Sequence, residues 1–192
     1  FAYSAIEKIK IPKNVKKIQL KTFYKCTEIK EVDFYDNSEI NTIEEDAFSG
    51  SSIESLSIPS SLIELKEGWC NDTANLIRIS LSKENKHYKY LKDTNEKIII
   101  GKINNNNNSD NEEEFETIVF ACRDINFINI PTFIKKLESY SFSKCNKIEG
   151  IEIERQSQLS QISKGSFSYS SINTIFIPQN VKTIETNTFT RC

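Results

Sequence analysis

All four prolines of the chain follow an isoleucine, at Ile11-Pro12, Ile58-Pro59, Ile130-Pro131 and Ile177-Pro178. Pro12 to Pro59 is 47 residues, Pro59 to Pro131 is 72, and Pro131 to Pro178 is 47 again. Self-similarity at a fixed spacing constrains a fold more than any composition does. Aligned on the dipeptide, Ile11, Val15, Ile18, Phe23, Cys26, Ile29, Val32 and Phe34 recur without a gap as Ile130, Ile134, Leu137, Phe142, Cys145, Ile148, Ile151 and Ile153. Ile177, Val181, Ile184, Phe189 and Cys192 begin another copy. A further copy starts at Ile58, Leu62 and Leu65, with Cys70 in the Phe slot and Thr73 in the Cys slot, and continues through Leu76, Ile79 and Leu81.

A shorter unit alternates with the first. Ile40, Ile43, Phe48, Ile53, Leu56 and Ile58 form one copy; Leu159, Ile162, Phe167, Ile172, Ile175 and Ile177 form another. Val15 to Ile40 is 25 residues and Ile40 to Leu62 is 22, so the 47-residue period is two repeats of about 23. In each repeat the last two residues of the I-x-x-I-x-I core are spaced by two and share one face of a strand. The expected fold is therefore a β-rich repeat solenoid: a curved stack with one short parallel strand per repeat, in which neighbours bury what no single repeat can. Proline directly after the strand stops the ladder where the chain turns. Phe23, Phe48, Phe142 and Phe167, with Cys26 and Cys145, are expected in the core, and Phe1, Phe23, Phe48, Phe120, Phe142, Phe167 and Phe189 as a stacked aromatic spine.

This pattern resembles the BspA-like (treponema-pallidum-type) leucine-rich repeats of bacterial and protist surface proteins, over most of residues 1–81 and 120–192. The resemblance implies a curved solenoid with a role in adhesion or protein recognition, and no catalytic residues. It also implies an irregular repeat in mid-chain. Residues 82–119 depart from the template, and Tyr88–Leu91, Ile98–Ile100 and Ile118–Phe120 are the candidate short strands there. Asn104 to Asn108 and Asp110 to Glu114 make a polar, acidic, low-complexity run, read as a surface loop. The chain is read as one solenoid over 1–192. It has no Met and starts at Phe1, within a repeat, so a segment of a longer array is expected.

Composition narrows function. The net charge of −2, from 25 basic and 27 acidic residues, gives no basic face for nucleic acid. No apolar run approaches the roughly 18 residues of a membrane span. Five cysteines at wide spacings form neither a disulfide framework nor metal-binding pairs. Rungs two apart lie about 10 Å from each other, beyond the roughly 7 Å reach of a disulfide, which leaves Cys122 with Cys145, one rung apart, as the one conceivable bond. His87 is the sole histidine and lies in the irregular segment. No catalytic residue, cofactor or metal site is assigned. Two sequons occur, Asn71-Asp-Thr73 and Asn107-Asn-Ser109, of which Asn107 is the better acceptor in a secreted protein.

Residues between the inward positions of each strand point outward and line up on the concave face. Glu31, Asp33, Tyr35, Arg78, Phe127, Asn129, Glu152, Glu154 and Phe176 are the candidate partner-binding residues there. Exposed aromatics are binding anchors, so the expected partner is a protein, with basic patches to match the glutamates. The expected location is the cell surface or outside the cell. An intracellular scaffold or regulatory subunit built from the same repeats is the second reading.

Overall fold

A computed structural model of the chain describes residues 1–102 and 115–192. The run 104–108, Asp110 to Glu114 and the sequon at Asn107 lie outside the described residues. The chain forms two compact units, Phe1–Lys89 and Tyr90–Cys192. Among the described residues there is no helix.

The first unit runs β1 (Lys8–Ile11), β2 (Lys17–Ile18), β3 (Glu31–Phe34), β4 (Thr42–Ile43), β5 (Ser55–Ile58), β6 (Glu64–Leu65) and β7 (Arg78–Leu81). Strands β1, β3, β5 and β7 form one parallel sheet in that order. The two-residue strands β2, β4 and β6 form a second parallel ladder. The strand β8 (Tyr88–Tyr90) falls where the units meet in sequence. The second unit holds β9 (Ile98–Gly101), β10 (Thr117–Ala121), β11 (Phe127–Ile130), β12 (Lys136–Leu137), β13 (Gly150–Ile153), β14 (Gln161–Ile162) and β15 (Thr183–Ile184). There β11 pairs in parallel with β13, and β10, β12, β14 and β15 pair in parallel in that order. The irregular strands lie close to the sequence expectation. Strand β9 pairs antiparallel with β10 across a bulge between Ile118 and Phe120, a local break that fits a segment outside the repeat.

Period-two patterning is plain on the long strands: Val32 and Phe34, Leu56 and Ile58, Ile128 and Ile130, and Ile151 and Ile153 are all buried. The Ile-Pro positions do the same thing four times. Each proline carbonyl accepts from the amide three residues on, Val15 at 3.1 Å, Leu62 at 3.2 Å, Ile134 at 3.1 Å and Val181 at 3.1 Å. Proline needs no donor at that corner, so the strand ends and the chain turns without an orphaned amide.

The buried turn around each Phe poses the opposite problem, because its backbone polar groups are shut away from water. They pair with the next rung. The amide of Phe23 donates to Ala47 O at 2.7 Å, Phe48 to Trp69 O at 2.8 Å, Phe142 to Ser166 O at 2.8 Å and Phe167 to Thr188 O at 3.0 Å. This winding requires left-handed backbone two residues either side of the Phe slot: Lys21 and Lys25, Asp46 and Gly50, Gly68 and Asp72, Tyr140 and Lys144, Gly165 and Tyr169, Asn187 and Arg191. Gly165 is the position where only glycine fits twice over. Its φ is +60°, and a Cβ there would lie 2.5 Å from Cε1 of Tyr140.

Of the seven expected spine rings, Phe1, Phe23 and Phe48 stack in a column in the first unit, and Phe142, Phe167 and Phe189 in the second. Ring centroids of Phe1 and Phe23 lie 5.5 Å apart, Phe23 and Phe48 5.2 Å, Phe142 and Phe167 5.3 Å, and Phe167 and Phe189 5.6 Å, all stacked within 18° of parallel. Phe1 and Phe189, at the ends of these columns, are exposed. Cys70 keeps the backbone place of the Phe slot, but the ring that meets Phe48 belongs to the preceding Trp69, edge-on at 6.3 Å and 88°. A small thiol beside a large indole thus replaces a phenyl ring.

All five cysteines are free, Cys122 and Cys145 included. The thiol slot has its own bond: Cys26 donates to Phe1 O at 3.2 Å and Cys192 to Phe167 O at 3.0 Å. Thr73, fully buried in that slot, donates instead to Cys70 O at 2.7 Å. Burial raises the Cys145 thiol above its ordinary value and pushes Cys122 up to about 11.

The expected parallel strand is joined on most rungs by a second, two-residue strand at the V-x-x-I positions. Residues 171–178 carry no ladder, so Phe176 stands on irregular backbone. Arg123, which the repeat pattern left unremarked, is almost fully buried. Its guanidinium caps the carbonyls of Ala121 at 3.2 Å and Ser141 at 3.0 Å, over the ring of Phe120 at 4.4 Å.

Candidate functional site

The outward positions of the long strands form rows across each sheet. In the first unit the register puts Lys8 beside Glu31, Glu31 beside Ser55, and Ser55 beside Arg78. The second row sets Lys10 beside Asp33, and Ser57 beside Ser80. The two acidic candidates are thus already neutralised. Glu31 pairs with Lys8 at 2.9 Å, and Asp33 lies 3.9 Å from Lys10. Asp33 also accepts from Ser57 Oγ at 2.7 Å and from the Phe34 amide at 2.8 Å. The Ser57 bond, followed by that amide and the two lysines, holds its carboxyl below the ordinary carboxylate value despite partial burial. Tyr35, just past β3, is 53% exposed with the Lys10 ammonium 4.7 Å from its ring centroid. Arg78 is exposed and makes no ion pair among the described residues.

The second unit differs. Phe127, 54% exposed, is in register with Gly150, and Asn129 with Glu152. Glu152 and Glu154 are exposed and carry no ion pair among the described residues. Phe127, Asn129 and Glu154 share one groove of about 690 Å³ with the 92–97 turn of the irregular segment. Phe176 is 52% exposed on the unladdered stretch. Of the candidate surface residues, Tyr35, Arg78, Phe127, Asn129, Glu152, Glu154 and Phe176 are exposed, and Glu31 and Asp33 are half-buried. Register gathers Glu31 with the first-unit rows, and Asn129 with Glu152 in the second. What the sequence did not reveal is the groove, which depends on the turn of the irregular segment, and the neutralisation of Glu31 and Asp33, which depends on strand register.

Among the described residues no three His, Cys, Asp or Glu side chains are grouped to hold a metal, and no helix is long and apolar enough to cross a membrane. In the sequon at Asn71 the Thr73 hydroxyl is buried and bonded.

Rungs of about 23 residues, stacked through parallel ladders with a buried Phe turn in most of them, define a leucine-rich-repeat protein. The model of the BspA type leucine-rich repeat region matches residues 1–110 and 101–192, in six copies over the chain, and the chain belongs to that family. Solved structures share the fold. The pneumococcal vaccine antigen PcpA aligns at TM-score 0.80 and 20% identity, over 94% of this chain and 42% of that one. A leucine-rich cell surface protein from Faecalibacterium prausnitzii aligns at 0.71 and 16%, over 96% and 51%. A leucine-rich repeat protein from Eubacterium ventriosum aligns at 0.69 and 19%, over 94% and 50%. The chain spans about half the length of these structures or less. No curated protein matches it in sequence.

Proposed function

We propose that this chain is a non-catalytic protein-recognition segment of a cell-surface adhesion protein, and that the outward strand faces carry the recognition. The observation behind this reading is the set of three large aromatics, Tyr35, Phe127 and Phe176, each more than half exposed where the repeat pattern turns side chains outward. Stable rungs do not need them there, since the buried Phe columns supply the packing. Exposed aromatics set among charged residues are the composition of binding anchors. Surface display is supported by two proteins of the same fold, one a vaccine antigen and the other a cell surface protein. Two measurements test the reading. A membrane-impermeant biotin reagent applied to intact cells labels the protein if it is displayed; labelling only after lysis refutes the location. Soluble chain added in excess blocks adhesion of those cells to extracellular matrix, and a Tyr35/Phe127/Phe176→Ser triple variant does not. Equal blocking by both refutes the face assignment.

A further inference from the structure

Beside β11 the second unit holds a groove whose chemistry a protein-binding face does not require. One wall is the 92–97 turn, which is wound through left-handed Asp93, Asn95 and Glu96. The start of β11 lines it too, and Phe127 there brings an aromatic ring. That ring lies down over Gly150. A Cβ at residue 150 would sit 3.1 Å from Cδ2 and 3.3 Å from Cε2 of Phe127, tight enough that the ring would have to give by a few tenths of an ångström. Gly150 is not among the left-handed residues, so its backbone alone does not demand glycine. The missing Cβ leaves room for the phenyl ring beside residue 150, and Phe127, a lining residue of the groove, is more than half exposed.

The groups around this groove are mostly polar. Asn95, Asn126 and Asn129 bring amides, each with donors and an acceptor in a plane, and Asp93 and Glu154 bring carboxylate acceptors. The charges nearly cancel. Lys97 is tied to Asp124 by bonds of 2.8 and 3.0 Å, and Lys92 counts against Asp93, which leaves Glu154 alone. An anion has no net positive field to hold it, and a strongly cationic ligand has only one unbalanced carboxylate. A purely apolar ligand would strand the amides without partners. The complementary ligand is uncharged, with a flat C–H face for the ring and hydroxyl edges for the amides and carboxylates. The electron-rich face of an aromatic ring attracts polarised C–H groups. A volume of about 690 Å³ lies within the ~300–1,000 Å³ of small-ligand sites.

We propose that this groove binds a short neutral oligosaccharide, with one sugar ring stacked on Phe127 and its hydroxyls bonded by Asn95, Asn126, Asn129 and Glu154. The groove shares Phe127, Asn129 and Glu154 with the recognition face proposed above, but sugar binding and cell adhesion are read in different assays, so either proposal can fail without the other.

The test uses the whole chain and saturation-transfer difference NMR with maltotriose, cellotriose and chitotriose, each at about 5 mM, a concentration that half-saturates a site of only ~3 kcal/mol. At least one trisaccharide is expected to give a signal strongest on the C–H protons of a single ring. Titration of that sugar is expected to show at least about tenfold weaker binding for Phe127→Ala, retained binding for Phe127→Trp, and about fivefold weaker binding for Gly150→Ala at an unchanged melting temperature. Glu154→Gln should change affinity by less than about threefold, because the ligand carries no charge. The proposal is overturned if none of the three sugars gives a signal. It is equally overturned if Phe127→Ala binds as wild type does, or if a tri-arginine peptide displaces the sugar and Glu154→Gln abolishes binding, which would make the groove a cation site.

Discussion

Replacing Phe142 by alanine removes a fully buried ring from the second unit's column. Its centroid lies 5.3 Å from that of Phe167, at 18° from parallel. Its amide is bonded to Ser166 O on the next rung, so the backbone cannot collapse freely into the space the ring leaves. Large-to-small changes at such sites cost about 3–5 kcal/mol, combining the lost transfer energy with an unfilled cavity. At roughly 2–4 °C per kcal/mol for a chain of this size, the melting temperature should fall by about 6–20 °C. Phe142→Leu keeps most of the apolar volume and loses the stack, worth roughly 0.5–1.5 kcal/mol, so it should fall between the two. Differential scanning calorimetry on the three proteins provides the measurement. A Phe142→Ala melting temperature within about 1 °C of wild type would refute the idea that the Phe columns bear the packing between rungs.

Gly165→Ala should destabilise by roughly 1–3 kcal/mol, because the new Cβ meets left-handed backbone and the Tyr140 ring together; an alanine variant that melts with the wild type removes that reasoning. In the native protein Ellman's reagent should titrate one thiol of the five, Cys192, and all five after denaturation, since the others are buried and Cys122 is pushed up to about 11; rapid labelling of more than one refutes it. The Cys122 shift also has a sign in stability: a thiol raised from 9.0 to about 11 in the fold loses stability as pH climbs through that window, so Cys122→Ser should flatten the alkaline limb of a stability–pH curve. Asp33 works the other way. Its lowered value adds stability at neutral pH that is lost as acid protonates it, so Asp33→Asn should flatten the acid limb by no more than about 1 kcal/mol for so exposed a group.

Much of this fold was legible because a repeat states its physics several times over. Ile11 with Pro12 and Ile130 with Pro131 mark the same corner, and Phe23 and Phe142 the same buried turn, so chance patterns cancel. The second ladder was not legible, because two residues such as Lys17 and Ile18 show no period. The left-handed pairs left a faint trace. Gly50, Gly68 and Gly165, with Asp46, Asp72 and Asn187, stand two residues from the Phe slot, the types that tolerate positive φ. Lys21, Lys25 and Tyr140 in the same places hid it. At the surface, alternation alone marked Tyr35 and Phe127 as outward. It did not show that Lys8 and Lys10 would neutralise Glu31 and Asp33, since that needs the register between strands 23 residues apart. Gly150, which the repeat pattern does not single out, became informative only once Phe127 lay beside it.

The division of labour between buried rings and exposed ones is open to one direct comparison. Beads coated with the wild-type chain or with the Tyr35/Phe127/Phe176→Ser variant are settled on deposited extracellular matrix, and the same two proteins are melted. If the outward aromatics serve recognition and not packing, bead retention should fall at least about tenfold, while the melting temperature moves by no more than about 2 °C. Equal retention, or a melting temperature that collapses with it, would contradict that division.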